Sequence, residues 1–165
     1  MWNEVQWIKI PDMELRDKQI LHGDLGGRFA YFRLEQELPA DARLTARITA
    51  VSRYRLWVND QAVLSGSCKG DLNRQYYETV SLTPYLHAGK NVFAVQVLYN
   101  DPDIARDQTD ERAAIYGVVG AGNCHALAID GDITDAFGRV IGTISTGGCG
   151  WITPSISNRR SIPSI

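Results

Sequence analysis

Nineteen aspartates and glutamates are the first residues in this 165-residue chain that could do chemistry. Glycoside hydrolysis uses two carboxylates that flank a sugar, about 5–9.5 Å apart. Here the acids fall mostly in turns and on the polar sides of alternating segments, where solvation accounts for them. No pair stands out as an acid and its base. His22, His87 and His125 are far apart in sequence, and no serine sits in a G-x-S-x-G elbow. Cys68, Cys124 and Cys149 form no CxxC pair and show no zinc-ligand spacing. Asp101-Pro102-Asp103 begins like a calcium loop, but Arg106 replaces the glycine and Arg112 the bidentate glutamate that such a loop needs. Asp130-Gly131-Asp132 fails in the same way, with Ile141 in the twelfth place. Gly117–Gly122 resembles a phosphate loop only in composition, since no Lys-Ser/Thr follows it. No catalytic residue, metal site or cofactor is expected.

Aromatic residues carry the remaining chemical signal. Sugars present apolar C–H faces that stack on flat side chains, while neighbouring polar groups supply hydrogen bonds. Trp57 falls on the face opposite Leu56 and Val58, and Tyr76 and Tyr77 follow Arg74 closely. These four residues, Trp57, Arg74, Tyr76 and Tyr77, form the candidate carbohydrate platform. The competing reading gives Trp57 a packing role, because large aromatics usually serve burial.

The segments that would position such residues alternate with period two. Leu44, Ala46, Ile48 and Ala50 share one face, against Arg43, Thr45, Arg47 and Thr49 on the other, which predicts a strand with one wet side. Ala30, Phe32, Leu34 and Leu38 alternate with Arg33, Glu35 and Glu37. Tyr54, Leu56 and Val58 alternate with Arg53, Arg55 and Trp57, and Asn59-Asp60 then turns the chain into a hairpin through Gln61–Leu64. Asn91–Tyr99 is apolar on both faces, as expected of a central strand. Further strands are expected at Trp7–Ile10, Tyr76–Leu82, Ile115–Val118, Cys124–Ile129 and Arg139–Ile144, with a turn at Asp130-Gly131 between the last two. Only Pro84–Ala88 suggests a helical turn. Many short strands and almost no helix predict an antiparallel β-sandwich or jelly roll.

The expected organisation is one sandwich module over residues 1–154, with 155–165 as a linker or cut end. Asn100–Arg112 reads as an exposed loop. At 44 % hydrophobic residues the chain can build a full core. A net charge of −2 without a basic stripe argues against nucleic acid. No segment approaches the roughly 20 apolar residues of a membrane span. The scattered cysteines and the absence of an N-terminal signal pattern suggest the cytoplasm, although an excised domain would also lack its parent's signal peptide.

Several of these segments together resemble a known family. Phe32-Arg33, Leu44–Ala50 and Tyr54–Asp60 are similar to the N-terminal β-sandwich module of bacterial α-L-rhamnosidases, where an "x-A-x-I-x-A" strand precedes an "L-x-V-N-G" hairpin. Tyr77–Thr83 and Tyr85–Val95 resemble the family's "Y-x-x-x-D-V-T-x-x-L-x-x-G-x-N-x-x-A-V" segment, and Thr143–Trp151 its "T-D-x-x-W". Asp60 stands where glycine is usual and Ser81 where aspartate is usual. The "G-K-N" strand entry also occurs in the sugar-binding domains of β-galactosidase-like and β-glucuronidase-like hydrolases. The resemblance therefore implies a galactose-binding-like sandwich, with catalysis in a separate, larger helical-barrel domain. It implies an accessory module that packs on that catalytic domain and contacts carbohydrate. The alternatives are a free-standing lectin-like module and a structural or oligomerising domain.

Overall fold

The unbroken alternation at 43–50 becomes strand β2 (Arg43–Ala50), in which Leu44, Ala46, Ile48 and Ala50 are buried while Arg43 and Thr45 face solvent. The structure, a computed structural model, describes residues 6, 8, 28–50, 53–66, 76–99, 127–148, 150–152 and 156–158. The other strands are β1 (Arg28–Leu38), β3 (Tyr54–Val58), β4 (Gln61–Gly66), β5 (Glu78–Ser81), β6 (Gly89–Tyr99), β7 (Leu127–Asp130), β8 (Asp132–Thr134), β9 (Val140–Thr143) and β10 (Ile156–Asn158). They form two antiparallel sheets. One runs β10-β1-β6-β3-β4; the other runs β5-β2-β8-β9, with β7 also pairing β2. The inward residues of both sheets meet in one core that includes Phe32, Leu44, Ile48, Leu56, Phe93, Ile129 and Ile133. The expected all-β sandwich is therefore the observed fold.

The doubly apolar segment lies where its pattern placed it. β6 runs between β1 and β3, with Phe93, Val95 and Val97 in the core and Val92 and Ala94 half-buried on the outer side. The β3–β4 hairpin turns at Asn59 (φ +48°) and Asp60 (φ +64°), the two left-handed residues that a tight two-residue turn requires. Asn and Asp tolerate that conformation better than other side chains. Gly89 at the entry to β6 is also left-handed (φ +92°), as its place in the "G-K-N" element suggests. The short helical element is a 3-10 turn at Thr83–Tyr85, one residue ahead of the expected segment.

The expected turn at Asp130-Gly131 is not there. The chain runs through these residues in an extended path beside β2, whose Arg47 pairs with Asp130 and whose Leu44 pairs with Ile133. Reversal comes five residues later, between β8 and β9. Asp135 makes that turn: its carboxylate accepts from the amides of Phe137 (2.9 Å) and Arg139 (3.0 Å) and pairs with the Arg139 guanidinium (2.7 Å). An aspartate that gathers the local amides is a stronger turn signal than Asp-Gly alone. The hydrogen bond donated by the Arg139 backbone amide, with its guanidinium and the Phe137 amide, holds the Asp135 carboxyl below its ordinary value of 3.8. A carboxylate with a depressed native pKa stabilises the fold above its unfolded value, and that stabilisation is lost as pH falls through the lower native value. Asp135→Asn is therefore expected to lower the melting temperature at pH 7, with the gap to the parent chain closing on acidification below pH 3.8. Thermal melts across that range test it; a gap that does not change with pH would contradict it.

The segment 155–165, expected as a linker or cut end, contributes β10, which pairs Ile156–Asn158 with Arg28–Ala30 of β1. Just before it, Ile152 bridges Arg33, and the half-buried Trp151 donates its indole N–H to the Ile144 carbonyl at 2.8 Å. From the expected strand at Trp7–Ile10, Ile8 is described, and it bridges Leu127. The expected strand at Ile115–Val118, the Asn100–Arg112 loop and all three cysteines lie outside the described residues.

Candidate functional site

Sheet polarity decides which candidate side chains share a surface. β2 and β5 place Thr45, Arg47, Thr79 and Ser81 on the outer face of the second sheet, with Arg47 opposite Thr79 and Thr45 opposite Ser81. On the other side of β2, Arg47 lies opposite Asp130, and their side chains form an ion pair. The Arg47 guanidinium also sits 5.9 Å from the centroid of the Tyr77 ring. At that distance a cation is attracted to the ring's negative face. Tyr77 is 40 % and its neighbour Tyr76 45 % exposed. The result is a continuous group of aromatic ring, guanidinium, carboxylate and hydroxyls on one sheet face.

Trp57 does not join this group. It alternates with the core residues Leu56 and Val58, which puts it on the outer face of the first sheet, beside Ala62 of β4 and Ala94 of β6. There it is half-buried among small side chains, which suits packing better than hydrogen bonding to a sugar. Arg74 lies outside the described residues. The four-residue platform expected from sequence is thus divided: Tyr76 and Tyr77 lie with the second sheet, while Trp57 faces the other way. Arg47 and Asp130, which the sequence did not offer as carbohydrate contacts, lie beside Tyr77 instead. Their pairing spans 83 positions. It can be read only once the register of β2 against β7 is known. The one local signal was Arg47's place on the wet side of a strictly alternating strand.

Five of the described acids are engaged in structural bonds, Asp41 among them through the Ala136 amide. Asp130 pairs with Arg47, Glu35 lies between Arg33 and Lys90, Asp135 serves its turn, and Glu78 accepts from the Tyr54 hydroxyl at 2.7 Å. A general acid in sugar chemistry has a raised pKa. Asp135 is shifted the other way, and so is Glu35, held low chiefly by its hydrogen bond to Lys90. Among the described residues, no three His, Cys, Asp or Glu side chains gather as a metal site, and no helix is long and apolar enough to cross a membrane.

No family model and no curated protein matches this sequence. Solved structures do match its fold. An α-L-rhamnosidase from Aspergillus terreus superposes with a TM-score of 0.56 at 18 % identity, over 82 % of this chain and 17 % of that one. The α-L-rhamnosidase of Dictyoglumus thermophilum gives 0.55 at 14 % identity, over 81 % and 13 %. That of Streptomyces avermitilis, solved with L-rhamnose, gives 0.53 at 17 % identity, over 96 % and 12 %. The chain resembles one part of an α-L-rhamnosidase. At these identities the likeness is one of fold. It takes in most of this chain but spans only 12–17 % of the length of those enzymes.

Proposed function

We propose that this chain is a non-catalytic accessory module of a glycoside hydrolase resembling α-L-rhamnosidase, equivalent to its N-terminal galactose-binding-like sandwich. In this reading it packs on a catalytic domain and contacts carbohydrate. The observation that carries the reading is the unequal coverage: nearly the whole chain corresponds to a small fraction of each hydrolase. A fold that recurs as one part of a large enzyme performs a part's work, and function must then be argued from its own surface.

Two surface features support the division of labour. Phe137, Val140 and Ile141 stand exposed along the β8–β9 hairpin, with Ile152 exposed beside β1. Domains within one chain typically bury about 600–1,500 Å² against each other, and exposed apolar side chains suit such a contact. The tyrosines with Arg47 and Asp130 suit carbohydrate instead. That cluster also favours the second reading, a free-standing lectin-like module.

Both readings predict that homogeneous protein leaves aryl α-L-rhamnosides and aryl galactosides intact. Asp130, Glu35 and Asp135 are committed to ion pairs, and neither Glu35 nor Asp135 has the raised pKa of a general acid. The check is a chromogenic assay at high protein concentration. Turnover that a single Asp or Glu substitution abolishes would overturn the non-catalytic assignment.

A further inference from the structure

We draw no further inference here: the strongest candidate, the cross-strand row Ile152–Arg33–Ala94–Trp57–Ala62 on the outer face of the first sheet, is a largely apolar surface patch, and nothing in the structure shows what covers it.

Discussion

Replacing Asn91 with alanine is expected to destabilise the chain by about 2 kcal/mol, because it leaves several partly buried polar groups without partners at once. Asn91 is 0 % exposed at the start of the central strand. Its amide nitrogen donates to the carbonyls of His87 (2.7 Å) and Gly89 (2.9 Å). Its carbonyl oxygen accepts from the His87 amide (3.0 Å) and from the Asn59 side chain (2.7 Å). Asn59 in turn donates to the Tyr85 carbonyl and accepts from the Val92 amide, both at 2.9 Å. The two asparagines thus tie the β3–β4 turn, the 3-10 turn and the entry of β6 into one network. A fully buried group left unmet costs about 1–3 kcal/mol, and these partly buried ones cost less each. Asn91→Asp offers a sharper test. At pH 7 its carboxylate would face two carbonyl oxygens that lose their donor. Acidification would restore one donor, so the deficit should shrink as pH falls. Urea unfolding of the parent and both variants measures this. A loss below about 1 kcal/mol for Asn91→Ala would mean that water replaces these bonds, and the network would not be what fixes the turn.

The sheets were more legible in the sequence than the surface was. Alternation at Arg43–Ala50 and Tyr54–Val58 is a local property, and a buried face enforces it because a one-residue slip would expose every core side chain. The double apolar character of Asn91–Tyr99 likewise reported its central place. The Asp130-Gly131 turn misled because Asp-Gly describes what a backbone tolerates rather than what it must do. Here the glycine serves a close approach between strands. The platform divided for a different reason. Trp57 and Tyr77 were grouped by residue type, but the face on which a side chain emerges depends on which sheet its strand joins. That is set by pairings such as β2 with β5 and β3 with β6, which local patterning does not encode. Arg47 with Asp130 is the same lesson reversed: a long-range pair with no sequence neighbour to announce it.

Gly131→Val is expected to be among the most damaging substitutions of a small residue in this chain, at about 3 kcal/mol or more. A first side-chain carbon at this position would lie 2.9 Å from Leu44 Cδ1, 3.0 Å from the Thr45 carbonyl oxygen and 3.2 Å from Ala46 Cα. The leucine methyl can swing away, but the other two atoms belong to the backbone of β2. Relief therefore requires moving one strand off another. Overpacking of this kind typically costs 1–3 kcal/mol, and valine adds two further branches to the clash. The damage would spread, because the Gly131 carbonyl accepts from the Ile144 amide (3.0 Å) and the Thr143 hydroxyl (3.1 Å), which fix the end of β9. Gly138→Ala is the control. That glycine has open space around its Cβ position but a left-handed backbone (φ +78°), so alanine there meets conformational strain of about 1 kcal/mol and no clash. Denaturant midpoints should therefore rank Gly131→Val well below Gly138→Ala, with Gly131→Ala between them. Equal midpoints for Gly131→Val and the parent chain would show that the strands are further apart than described. The continuous path from β7 into β8 beside β2, on which the placement of Asp130 against Arg47 depends, would then be wrong.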